Sequence, residues 1–193
     1  MAKKISRRSF IKTSVAAGGA AALLPQTLLS SRMKTRVKLG FIGTGLRGQW
    51  MLWLAAKYPE VEIPAICDID EQMIASALKI LKDAGRPEPR IYKKNEEDFR
   101  TMLDNETLDG VYIATPWEWH HPMAIAAMNN GIHVGTEVPA ALTVKECWDL
   151  VNVSEKTNKF CMIMENVCYR RDIMAVLNMV RKNMFGELLH CQG

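Results

Sequence analysis

The chain lacks any cysteine pattern that would hold a metal or a disulfide framework. Its five cysteines, Cys67, Cys147, Cys161, Cys168 and Cys191, are scattered, odd in number and without C-x-x-C spacing. Such a set suits buried thiols better than a disulfide framework, and no metal site is expected. No apolar run is long enough to cross a bilayer: the best stretch, residues 13–24, is short and rich in Ala and Gly, which excludes a stable membrane span. Internal repeats and low-complexity tracts are missing as well. A basic surplus is lacking once the N-terminus is set aside. Five of the 25 Lys and Arg residues fall within residues 1–31, which hold no acid. The remainder therefore carries 20 cations against 21 carboxylates, a formal charge of −1, so no basic face argues for nucleic acid.

The N-terminus is where the cations are concentrated. Lys3, Lys4, Arg7, Arg8 and Lys12 precede the weakly apolar stretch, which Pro25 ends. The run Ser6-Arg7-Arg8-Ser9-Phe10-Ile11-Lys12 has the form of a twin-arginine export signal, a receptor-read address and not an anchor. Residues 1–31 are read as this signal peptide, with no tidy small-x-small cleavage site before Met33. The expected partner is the twin-arginine translocase, and the destination is periplasmic or extracellular. Export in the folded state agrees with a chain that does not depend on disulfides.

Beyond the leader, short apolar runs alternate with helical segments, the pattern of a parallel, doubly wound α/β sheet of the Rossmann type. Strands are expected at residues 37–42, 61–67, 90–92, 110–114, 133–136 and 160–164, and helices at 46–58, 70–84, 96–104, 122–130 and from 143. Asp70 is placed to cap one helix and Gly85 to stop it, while Thr143 with Glu146 forms a capping-box pattern. Residues 35–165 make a complete nucleotide-binding domain, large enough for its own core. Residues 166–193 read as the start of a second, α+β domain, with a helix over 171–182 and a strand over 188–192 that has no partner in the chain.

The sequence Gly43-Thr44-Gly45-Leu46-Arg47-Gly48 follows the first strand and opens the first helix. In this context Gly43 permits the tight turn, Gly45 lets backbone approach a pyrophosphate, and Gly48 lets the helix lie close to the strand. The helix N-terminus then offers free N–H groups to phosphate. Asp68 stands about 25 residues further on, at the end of the second strand, where a carboxylate bonds the adenosine ribose; its alternative role is a helix cap. With Asp70 nearby, it favours NAD over NADP. The segment Thr115-Pro116-Trp117-Glu118-Trp119-His120-His121-Pro122 is read as a loop at the carboxyl end of a strand, facing the ligand crevice.

These features together resemble the Gfo/Idh/MocA family of glucose–fructose oxidoreductases and inositol dehydrogenases. The residues carrying the likeness are the glycine loop, Asp68, Ala114-Thr115-Pro116 with His120-His121-Pro122, and Glu137-Val138-Pro139. Dehydrogenases of that family carry Glu-Lys-Pro at the last motif, whereas this chain has Val138 in place of the lysine. The chain more specifically resembles glycoside hydrolase family 109, the NAD-dependent α-N-acetylgalactosaminidases. That family shares the twin-arginine leader, Trp-Glu-Trp-His, Glu-Val-Pro and Met164-Glu165-Asn166.

The resemblance implies NAD contacts from Leu46, Arg47, Asp68, Trp117, His120, Glu137, Val138 and Asn166, beside Gly43, Gly45 and Gly48. It also implies a reaction in which the sugar is oxidised at C3, the glycosidic oxygen is eliminated across C2, water adds and C3 is reduced again. NAD is thus regenerated in each turnover, an exception to the paired-carboxylate scheme. His121 and Tyr169 are the candidates for an acid or base, with packing and hydrogen bonding as their alternative role. The expected partner is a glycan or other small-molecule substrate, and further copies of the chain are admitted. Two other readings stay open: an exported sugar or polyol oxidoreductase of the broader family, and a non-catalytic NAD- and sugar-binding paralogue. This piece alone is not expected to catalyse, because substrate residues of the family lie mostly in the second domain.

Overall fold

A computed structural model describes residues 36–190, so the leader, Cys191 and Gln192 lie outside the described residues. Seven strands form one sheet. They are β1 (Val37–Ile42), β2 (Val61–Glu62), β3 (Ala65–Cys67), β4 (Arg90–Tyr92), β5 (Gly110–Ile113), β6 (His133–Thr136) and β7 (Cys161–Ile163). The order is β4-β3-β1-β5-β6-β7, with β2 pairing β1, and every pairing is parallel. The chain winds outward from β1 in one direction, returns, and winds outward in the other. The switch point between β1 and β5 is where such sheets bind ligands.

Among the described residues five α-helices lie between strands, α1 (Leu46–Ala56), α2 (Glu71–Asp83), α3 (Asp98–Asn105), α4 (Trp117–Asn129) and α5 (Val144–Thr157), and a sixth, α6 (Arg171–Arg181), follows β7. Local chemistry sets several of their ends. Asp70 accepts from the backbone N–H groups of Gln72 and Met73, and Gly85 stops α2 with φ +67°. At α5 the capping box of Thr143 and Glu146 is complete.

The period of the strands divides the core between the two faces of the sheet. Phe41, Ile66 and Tyr112 bury on one side with Leu52, Ile74 and Leu81 of α1 and α2. Ile42, Cys67, Val111, Ile113 and Val134 bury on the other, against Phe99, Met102, Met123 and Met128 of α3 and α4. Full burial of each large apolar side chain is worth roughly 1.5–3 kcal/mol.

Three expectations are corrected. The strand expected over residues 61–67 is broken in two, because Pro64 has no N–H to give the ladder; its carbonyl accepts from Arg90 instead. The segment expected as a loop before residue 122 is already helix, since α4 starts at Trp117. Pro122 is tolerated near its start, where only the carbonyl of Glu118 loses an intrahelical donor. No strand forms over residues 188–190, for which no neighbouring strand supplies backbone partners.

Candidate nucleotide-binding site

The glycine loop shows three different steric requirements. Gly43 has φ +88°, and a Cβ there would lie 2.6 Å from the carbonyl oxygen of Ala114. At Gly48 an added Cβ would come within 2.1 Å of the Gly43 carbonyl oxygen, so only glycine lets α1 approach the loop this closely. A Cβ at Gly45 would meet no protein atom within 4 Å, and its φ of −63° is open to any residue. Packing therefore gives no reason for glycine at 45, where a Cβ would point into open space. The first turn of α1 contains no acid, which preserves the positive end of the helix dipole for an anion. These observations fit a dinucleotide pyrophosphate.

Asp68 closes the other side of the loop. Its Oδ2 accepts from the Thr44 backbone N–H at 2.5 Å and the Thr44 hydroxyl at 2.9 Å, and its Oδ1 accepts from the Asp70 N–H at 2.9 Å. The helix cap is thus Asp70, and Asp68 is bound to the glycine loop itself. A cleft of about 350 Å³ opens beside them, between the carboxyl ends of β1, β3 and β5, a size typical of small-molecule sites. Ile69, Met73, Pro116, Trp119 and Met123 give it apolar walls. Its charged lining is Asp68, Glu96 and Glu118, with no Lys or Arg.

At the end of β6, Glu137 is held from two sides. Its Oε1 accepts from Arg47 Nε at 2.7 Å and from the Tyr112 hydroxyl. The pairing raises the Arg47 pKa, chiefly through the hydrogen bond to Glu137. Tyr112 is driven well above the ordinary phenol range, first by burial and then by the Glu137 bond and charge. Val138 follows, 44% exposed as a residue, in a cis peptide with Pro139.

The remaining expected residues fall in several places. Leu46 and Trp117 are strongly exposed near the start of their helices. His120 is only 1% exposed; its Nδ1 lies 2.7 Å from the Pro139 carbonyl oxygen and its Nε2 2.8 Å from that of Thr115. Neither ring nitrogen is free for a ligand, so the side chain links the loops after β5 and β6. His121 does not line the cleft; its Nε2 faces Asp149 of α5 at 3.7 Å, beyond hydrogen-bond range. Asn166 stands at the start of the short 3₁₀ turn Val167–Tyr169 without a side-chain capping bond, and Tyr169 is exposed there, also outside the cleft lining. Among the described residues no His, Cys, Asp and Glu group could hold a metal.

Sequence reasoning missed Thr44, Tyr112, Asn95 and Glu96. Tyr112 had a signal: a phenol within Gly110-Val111-Tyr112-Ile113-Ala114, otherwise wholly apolar, needs a partner for its hydroxyl.

The parallel sheet, the glycine loop at its switch point and the acid after β3 define a dinucleotide-binding domain of the Rossmann class. A profile of the Gfo/Idh/MocA oxidoreductase family, NAD-binding Rossmann fold, matches residues 37–165. The chain belongs to that family. Residues 169–193 match the C-terminal domain of glycosyl hydrolase 109, and residues 4–25 match the twin-arginine translocation pathway signal sequence. The N-terminus therefore carries an export signal, and no helix of the described residues is long and apolar enough to cross a membrane.

A glycosyl hydrolase family 109 protein of Parabacteroides distasonis is 48% identical over 96% of this chain and 43% of its own length. An alpha-N-acetylgalactosaminidase of Tannerella forsythia is 46% identical over 96% of this chain and 44% of its own. The chain thus spans less than half the length of these curated relatives. Among solved structures, scyllo-inositol dehydrogenase from Lactobacillus casei with bound NAD(H) and scyllo-inositol shares the fold. Its TM-score is 0.68 at 21% identity, over 79% of this chain and 43% of that one.

Proposed function

We propose that this chain is the nucleotide-binding part of an exported, NAD-using glycosidase of the α-N-acetylgalactosaminidase type. In this reading residues 35–165 hold the cofactor and residues 166–193 open a substrate domain. The apolar side of α6 supports that division: Ile173, Met174, Val176 and Leu177 are exposed in an amphipathic helix. The relatives named above support the activity.

NAD bound here would supply a hydride acceptor and donor at a sugar carbon, with no net redox change. The chain's own residues bind and orient. Gly43, Gly45 and Gly48 with the start of α1 take the pyrophosphate, and Asp68 takes the adenosine ribose. Leu46, Arg47, Trp117, Glu137, Val138 and Asn166 border the rest, while His120 contributes by holding two loops together. An all-acidic charged lining, Asp68, Glu96 and Glu118, repels a 2′-phosphate and so favours NAD over NADP. The catalytic acid and base are assigned to the substrate domain, since His121 turns toward α5.

The observation that carries the reading is Val138. Where the dehydrogenases of the family place a lysine, this position is apolar and cannot donate a proton or hold charge. A net alcohol dehydrogenase would lose its usual acid–base partner there, whereas a cofactor recycled in place suits an exported protein cut off from cytoplasmic NAD. The full-length protein, purified without added cofactor, is expected to hydrolyse an aryl α-N-acetylgalactosaminide through many turnovers. Activity that needs a continuous supply of fresh NAD would sink the reading. Net reduction of NAD by free sugars or polyols would instead favour an oxidoreductase.

A further inference from the structure

We propose that Tyr112 is a positioning residue for the cofactor site, acting through Glu137 and together with Arg47. The inference rests on the reading that Glu137 borders the nicotinamide half of NAD. Tyr112 lies in the middle of the sheet on β5, 3% exposed, with its ring tilted against Phe41 at 5.5 Å between centroids. Any large apolar side chain would fill that volume. A phenol brings a hydroxyl that must find a partner in the interior, and the partner is Glu137 Oε1.

The same oxygen accepts from Arg47 Nε. The Glu137 side chain is 14% exposed, and a carboxylate so covered needs donors to offset its lost hydration. Both donors converge on Oε1, and no other described residue donates to Oε2, which leaves that oxygen for a ligand hydroxyl or amide. The three residues come from β5, the end of β6 and the first turn of α1. Arg47 sits inside the glycine motif, so the network ties the pyrophosphate loop to the strand end that carries Glu137 and Val138. Burial and the neighbouring carboxylate both raise the Tyr112 phenol above its ordinary range, which favours the protonated form that donates to Glu137. The geometry amounts to a bracket whose far end is the central strand.

The test is a double-mutant cycle on NAD affinity in the full-length protein, read by calorimetric titration, with melting temperature as a control. Tyr112→Phe keeps the ring and removes only the hydroxyl. It is expected to weaken NAD binding about tenfold, the usual effect of losing one hydrogen bond to a charged group. The melting temperature should change by no more than a few degrees. Glu137→Ala, which removes the shared acceptor, should weaken binding at least as much, and the double variant should be no weaker than Glu137→Ala within about twofold. With NAD saturating, Tyr112→Phe should lower kcat and leave KM for the aryl glycoside unchanged within about twofold. Arg47→Gln, at a partly exposed side chain, gives the same cycle from the other donor should Tyr112→Phe lower the yield of folded protein.

Independent, additive effects would overturn the proposal, as would a Tyr112→Phe protein with parental NAD affinity. Failure of the parent protein to bind NAD would overturn the cofactor reading and the proposal with it.

Discussion

Gly45→Ala and Gly48→Ala should separate ligand space from packing space within a single loop. At Gly45 an added methyl meets no protein atom and the backbone already has φ −63°. Two small terms then act on stability. Alanine is a poorer N-cap than glycine by roughly 1 kcal/mol, while the stiffer unfolded chain returns about 0.4–1 kcal/mol. The net change should be near zero. Binding should suffer instead, since the methyl stands where backbone must approach the pyrophosphate. Overpacking typically costs about 1–3 kcal/mol, which is a loss of roughly 5- to 150-fold in NAD affinity.

At Gly48 the order is reversed. The methyl would lie 2.1 Å from the Gly43 carbonyl oxygen and 3.0 Å from its carbon, and backbone cannot rotate away as a side-chain tip can. A loss of at least about 1–3 kcal/mol should lower the melting temperature by several degrees. Calorimetric NAD titration beside thermal melting reads both quantities. Parental NAD affinity in a stable Gly45→Ala protein would refute the reasoning, because the free volume above the loop would then have no ligand to exclude.

Asp68→Ala removes the acceptor for the Thr44 N–H and hydroxyl and for the Asp70 N–H, and should weaken NAD binding by about tenfold or more; no change on titration would undo the site assignment. The parent should also bind NADP more weakly than NAD, because the cleft's charged lining is entirely acidic; equal affinities would count against Asp68 facing the ribose. Cys67 has its pKa pushed up to about 12, first by burial and then by the charges of Asp98 and Asp68. At pH 8 only about one part in ten thousand is thiolate, so mass-spectrometric mapping after alkylation should find the exposed Cys147 and Cys168 labelled first. Cys67 should react only on unfolding, and early labelling would contradict its burial.

Features governed by a few neighbouring residues were legible in the sequence. Gly85 at the end of α2, Asp70 and Thr143 as caps, and the turn at Gly43 each follow from local backbone geometry and short-range hydrogen bonds. The strand period likewise assigns Phe41 and Ile42 to opposite faces of the sheet. The start of α4 was not legible, because the aromatic and histidine residues before Pro122 have no clear helical pattern and their packing decided the outcome. Pro64 is different: its missing N–H is a property of the residue, yet only pairing with β1 and β4 turned it into a break between two strands.

The sequence by itself determined that a dinucleotide loop follows a strand, that an acid stands after the next one, and that an export signal precedes both. These depend on residue type and spacing alone. Only the tertiary structure decided how the side chains divide their work. It placed Asp68 on the Thr44 backbone, turned His120 onto two carbonyls, and joined Arg47, Tyr112 and Glu137 across 25 and 90 residues of chain. The physical reason is that a buried polar atom must be paired with whatever the fold brings within about 3 Å, and sequence spacing does not encode that distance.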